Sequence, residues 1–156
     1  MSTFSLQLKA FQEKVEGQAS DLVGLVVIKL AAELDFRSPV GDPVYWESKA
    51  PKGYIGGHFR ANWRLGVGSM PQGEVAGADQ SGKDRDRGGS TTAAMLNVLP
   101  GDGLNAGHIY YIANNTPYAN EIEHGHSKRQ APEGLVGLTV LMFDQIVANA
   151  VGQVKS

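Results

Sequence analysis

Glu121, Glu123, His124 and His126 crowd into one short stretch, the densest group in this sequence able to do chemistry. A His-x-His pair beside a carboxylate can hold zinc or another transition metal, with Asp84 or His108 as ligands from outside the stretch. Such a set would support a small metal-dependent hydrolase built on His124, His126 and Glu123. A second reading fits the residues better. Both histidines flank Gly125 where a helix should end, and there they and Lys128-Arg129 complement the negative end of a helix dipole. The expectation is a rigid turn in which Glu123, His126 and Ser127 hydrogen-bond backbone groups, with no metal and no cofactor. Ser127 follows His126 directly, and adjacent side chains seldom face each other as a nucleophile and its base must. The sequence has no Gly-x-Ser-x-Gly elbow, no Gly-x-x-x-x-Gly-Lys-Ser/Thr phosphate loop (Gly77 to Lys83 has the spacing, but Asp84 follows the lysine) and no Gly-x-Gly-x-x-Gly fingerprint. No enzyme activity is expected.

Two other charged groups invite a functional reading. Lys83, Arg85 and Arg87 alternate with Asp84 and Asp86, so their charges nearly cancel, as in a solvated loop. The same loop could instead face a channel through which DNA passes, where weak contact avoids holding the DNA back. Arg60 and Asn62 are expected on one side of a strand, opposite Phe59, Ala61 and Trp63. That row is either solvent-facing or an interface row, with Arg60 paired to an acid of a neighbouring subunit.

The elements that position these groups can be read from periodicity and punctuation. Phe4, Leu8, Phe11, Val15, Ala19, Leu22, Val26, Leu30 and Leu34 step by three or four, which predicts one long helix over residues 4–35, or two stacked ones bent near Gly17. Unbroken, it would run roughly 45 to 50 Å at 1.5 Å per residue, long enough for part of it to pack on a neighbouring subunit. Ser38-Pro39 ends it, and residues 38–57 read as a loop in which Tyr45 and Trp46 are pinned to the core or held at an interface. Trp63, Leu65 and Val67 alternate with Asn62, Arg64 and Gly66 as a half-buried strand. Residues 73–78 make a weaker strand, residues 80–89 a mobile polar loop, and residues 90–99 a short helix capped by Ser90 or Thr91. Residues 108–113 are a strand, Asn114-Asn115-Thr116-Pro117 a turn, and residues 118–123 a short helix ending at Gly125. The last helix is expected to start at Ala131-Pro132-Glu133, with Val136, Val140, Phe143, Val147, Val151 and Val154 as one stripe that Leu135, Leu138, Leu141, Met142 and Ile146 widen, so that it is buried on two sides, by its own sheet and by the N-terminal helix or a partner. The fold class is therefore α+β: a small, mostly antiparallel sheet packed by long N-terminal and C-terminal helices. The chain divides into 1–36, the N-terminal helix; 37–130, sheet and loops; and 131–156, the C-terminal helix, all in a single domain.

The order of five short motifs carries a family likeness. Ser38-Pro39-Val40, then Phe59-Arg60-Ala61-Asn62-Trp63, then Asn114-Asn115-x-Pro117-Tyr118-Ala119, then Glu123-x-Gly125-His126-Ser127, then Gln130-Ala131-Pro132-x-Gly134 resembles the neck and tail-completion proteins of long-tailed bacteriophages, often labelled minor tail components. The likeness covers roughly residues 36–150 and departs at 42–55, where the family usually runs from Pro-Val-Asp almost directly to Thr-Gly-x-x-Arg, and again at 77–89. It implies a structural virion protein, made in the bacterial host cytoplasm and placed at the head–tail junction. There it would form a homo-oligomeric ring of six subunits that joins tail to head and lets DNA pass with only weak contact. Its neighbours would be other neck, head-closure, tail-terminator or tail-tube proteins. A tail-terminator or head-closure role is the near alternative, and a toxin- or antitoxin-like binding module, forming a compact 1:1 complex, a more distant one. The likeness implies shape or interface roles for Phe59, Arg60, Asn62, Trp63, Asn114, Pro117, Tyr118, Glu123, Gly125, His126, Ser127 and Pro132. It leaves Lys83, Arg85 and Arg87 as a lumen or docking loop.

Composition agrees with a subunit of an assembly without requiring one. The 156 residues suffice for one core, and 42% are hydrophobic. Only 19% are charged and 20 are glycine, so less charge opposes association than in an ordinary domain. A net charge of −2 gives no global case for wrapping nucleic acid. The absence of cysteine excludes disulfides and thiolate zinc sites. Met1-Ser2-Thr3-Phe4 lacks a basic region followed by an apolar core, so no signal peptide is expected. The most apolar run, residues 22–34, contains Lys29 and Glu33 and is too short to span a bilayer, so no membrane contact is expected.

Overall fold

A computed structural model describes residues 3–41, 43–45, 47–50, 52, 54, 56–75, 90–96, 99 and 103–155. Helix α1 runs unbroken from Thr3–Arg37. Gly17 does not break it: the local cost of one glycine, about 1 kcal/mol, is outweighed by the good helix formers around it. At 35 residues the helix is ~52 Å long. Its C-terminal half buries Val27, Ala31 and Leu34, spaced by four and three on one face. Its N-terminal half, residues 4–18, is exposed throughout. Phe4, Leu8, Phe11 and Val15, expected to share the stripe of Leu22 and Val26, meet no core of their own chain.

A short 3₁₀ turn (Pro43–Tyr45) and one turn of helix α2 (His58–Ala61) lead into strand β1 (Trp63–Val67). β1 pairs antiparallel with β2 (Tyr110–Asn114), placing Trp63 opposite Asn114 and Leu65 opposite Ile112. Helix α3 (Ser90–Leu96) lies between them in sequence and stops short of the expected Leu99. Residues 73–75 are irregular; the rest of the expected weak strand, the loop at 80–89 and Trp46 lie outside the described residues. Helices α4 (Ala119–Glu123), α5 (Val136–Leu141) and α6 (Phe143–Val154) complete the chain. Among the described residues, no helix is long and apolar enough to cross a membrane.

One core joins these pieces: Val27, Ala31 and Leu34 of α1 meet Phe59, Trp63, Leu65, Met95, Ile122, Ala131 and Leu135. The small sheet and the terminal helices therefore make the α+β arrangement expected. Two details differ. The expected single C-terminal helix is two, α5 and α6, parted by a turn at Met142, and it starts at Val136, five residues later than Ala131, because Ala131 instead bridges back to Ser127 and Gly134 sits at φ +77°, outside helical geometry. The buried face of that helix is Leu135, Thr139, Ile146 and Ala150. Val136, Val140, Leu141 and Phe143 point outward.

Candidate functional site

The polar residues of the motifs meet in three places, each built around backbone geometry. The first is a buried lock under the end of α1. Asp35 follows Ala31 by four residues and so lies on the buried face. A carboxylate there needs partners. Arg60 supplies one, its Nε 3.4 Å from Asp35 Oδ1, with both side chains at most 5% exposed. Thr92 donates its N–H and hydroxyl to Asp35 Oδ2 at 3.2 and 3.0 Å. Arg60 Nη2 donates to the Ser38 carbonyl at 3.1 Å, and Trp63 Nε1 to Ser38 Oγ at 2.6 Å. The Ser38 hydroxyl in turn donates to the Leu34 carbonyl. Asp35 of α1, Ser38 just past its end, Arg60 of α2, Trp63 of β1 and Thr92 of α3 are thus tied at one point.

This corrects the expectation of a solvent-facing or intersubunit row. Arg60 lies in α2, not on the strand, and its acid partner is Asp35 of the same chain. Asn62 is fully buried. Its Nδ2 donates to the His58 carbonyl and its Oδ1 accepts from Val75 N–H at 2.7 Å. The second site extends this stapling. Asn114 Nδ2 donates to the Phe59 carbonyl at 2.7 Å, while its Oδ1 accepts from the Thr116 N–H and hydroxyl. Asn115 Nδ2 reaches the carbonyls of Pro71 and Gly73. The Phe59 ring stands edge-on to Trp63 at 5.9 Å and tilts toward Tyr118 at 6.2 Å. Pro117 and Tyr118 form the exposed turn that follows.

The third site is the Glu123 turn. Glu123 Oε2 accepts from the N–H groups of Leu135 and Val136 at 2.9 and 2.8 Å, and Oε1 accepts from Gly137 N–H at 2.8 Å. A side chain on α4 therefore caps α5, which has no side-chain cap from its own N-cap residue, Leu135. Burial pushes the Glu123 carboxyl up, but the N–H groups of Gly137, Val136 and Leu135, aided by nearby His124, outweigh it and hold the carboxyl below its ordinary value. Gly125, at φ +82°, lets the chain reverse with the Pro132 carbonyl against its Cα; a Cβ there would collide with that oxygen. Pro132 itself is exposed in the facing turn.

Because the folded carboxyl titrates lower than the unfolded one, its stabilisation is complete above about pH 4.3 and fades as pH falls through the folded value. Glu123→Gln should cost about 1 kcal/mol at pH 7, as a lost charged cap does. Urea unfolding followed from pH 7 downward should show the gap to the parent chain narrowing below about pH 4. A pH-independent gap would mean that packing, not the carboxylate, is what counts.

The two histidines do not join Glu123 in one ligand set. His124 Nδ1 contacts the Asn120 carbonyl at 2.7 Å and His126 Nδ1 the Glu121 carbonyl at 3.0 Å, so each ring donates to backbone. Both oxygens of Glu123 already accept N–H groups. Among the described residues no cluster of three or more His, Asp or Glu stands at metal-binding spacing. Ser127 closes its turn through backbone contacts with Gln130 and Ala131. Asp84 and the loop residues Lys83, Arg85 and Arg87 lie outside the described residues. Beside the turn lies a cleft of about 690 Å³ with an apolar floor of Val40, Phe59 and Ile122 and a polar rim including His58, His126 and Lys128.

Sequence reasoning passed over Asp35, Ser38 and Thr92 as site residues. The available signal was an acid at the i+4 position of an apolar helical face, which demands a cation nearby. No protein-family model, no curated protein and no solved structure matches this chain.

Proposed function

We propose that this chain is a non-enzymatic structural subunit of a long-tailed phage, of the neck or tail-completion type, that forms a ring of six at the head–tail junction. The five ordered motifs suggest it. The observation that carries it is the N-terminal half of α1, which projects from the fold with Phe4, Leu6, Leu8, Phe11 and Val15 uncovered. A helix left apolar and unpartnered over four turns calls for a protein neighbour. The polar motif residues support the same reading, since they anchor backbone and leave no nucleophile beside a base. The ring would complete the tail, join it to the filled head and leave a channel that DNA crosses with weak contact. Cyclic closure requires that one face of each subunit meet a different face of the next.

Virions of the phage that encodes this chain provide the test. Antibody labelling or density fitting should locate the chain at the head–tail junction as one ring. Its absence from the particle would end this reading.

A further inference from the structure

Two apolar stripes on this chain are left without a partner, and they have the same spacing. Phe4, Leu8, Phe11 and Val15 step by four, three and four along α1; Val136, Val140, Phe143 and Val147 step identically along α5 and α6. Phe4 and Phe11 are 71% and 65% exposed, and Val140 and neighbouring Leu141 are 64% and 82% exposed. Equal spacing of this kind lets the knobs of one helix enter the holes of another. The α1 stripe spans roughly 16 Å on one helix at 1.5 Å per residue, while the second is shared between α5 and α6 across the turn at Met142.

The geometry explains why α1 does not satisfy this stripe within its own chain. The Arg37 guanidinium contacts Met142 Sδ at 2.9 Å, placing the start of α6 at the C-terminal end of α1. From there α6 packs back along α1. Its 12 residues extend only ~18 Å, so α1 continues past it bare. The bare half carries Lys9 and Lys14 against Glu13 and Glu16. This balance does not suit an anionic membrane surface or a phosphate backbone, both of which select basic faces. It does suit an apolar protein face, and Lys14 beside Phe11 complements Asp144 beside Phe143.

We propose that the N-terminal half of α1 docks on the outward α5–α6 flank of a second copy of this chain, packing Phe4, Leu8, Phe11 and Val15 against Val136, Val140 and Phe143. The contact is heterologous, the kind a ring requires, and repetition closes one when the rotation between neighbours divides a full turn. The inference rests on the ring reading above and names its interface.

The absence of cysteine makes the test clean. Single variants Phe11→Cys and Val140→Cys alter exposed positions, and circular dichroism would confirm that both fold. Mixed and treated with a flexible bismaleimide, they should give a cross-linked heterodimer, while neither variant alone should cross-link efficiently. Phe11→Asp should weaken self-association at least about tenfold, as loss of a central aromatic anchor does. Cross-linking of Phe11→Cys only to itself would overturn the inference in favour of α1–α1 pairing, and no cross-link in the mixture would overturn it outright. The size of the parent assembly by native mass spectrometry, and its place in the virion, test the ring separately. A ring without the mixed cross-link leaves that reading standing and removes this interface.

Discussion

Arg60→Met should lower the free energy of unfolding by about 3 to 5 kcal/mol, the usual consequence of leaving a buried ionised partner alone. The stranded group is Asp35, 1% exposed in the lock. Thr92 alone would then hold it through two hydrogen bonds. Adding Asp35→Leu should recover part of the loss, because a buried apolar pair of similar volume is often as stable as the ion pair it replaces. Urea denaturation of the two variants and the parent gives the numbers directly. A loss below about 1 kcal/mol for Arg60→Met would place the pair among solvent-screened ion pairs and refute its role as a lock. The size of the effect matters because a domain of this kind has only about 5 to 15 kcal/mol of net stability.

Trp63→Ala should cost about 3 to 5 kcal/mol, as large aromatic deletions in cores do. Trp63 is 5% exposed, packs edge-on against Phe59 and donates to Ser38 Oγ. Trp63→Phe separates the contributions: it keeps most of the ring volume and loses the N–H donor, so about 1 kcal/mol is expected. Thermal unfolding of the pair should rank Ala well below Phe. Equal losses would mean that the indole N–H, rather than the ring, holds the site.

Much of the architecture was legible because local signals and tertiary packing agree. The end of α1 before Pro39, the β1 and β2 strands, and the short helix stopped at Gly125 all carry punctuation that tertiary contacts had no reason to override. Arg60 was misplaced because a four-residue helix has no measurable period, so the strand alternation of Asn62–Val67 was extended backward through it. The last helix was begun too early because Pro132 and Glu133 are good local start residues. The left-handed Gly134 and the remote carboxylate of Glu123 moved the start to Val136. The apolar residues from Leu135 to Val154 were expected to be buried on two sides, by the sheet and by the N-terminal helix or a partner; Leu135 and Ile146 are buried, while Val136, Val140 and Phe143 face outward. Both faces repeat with the helical period, and the face that is buried includes Thr139 and Ala150, which are less apolar than the valines outside. Hydrophobicity marks a face for burial without saying which molecule buries it.

The cap donated by Glu123 ties the timing of two helices together. Helix α5 has six residues, too short to persist alone in water, and the amides that open it are held by a carboxylate 12 to 14 positions upstream. The first turn of the C-terminal arm therefore gains stability when α4 has formed and the turn through Gly125 has closed. α4, the turn and α5 behave as one cooperative unit, opening and reclosing together. The spacer between Glu123 and Leu135 thus sets how a side chain on one helix reaches the amides that open another.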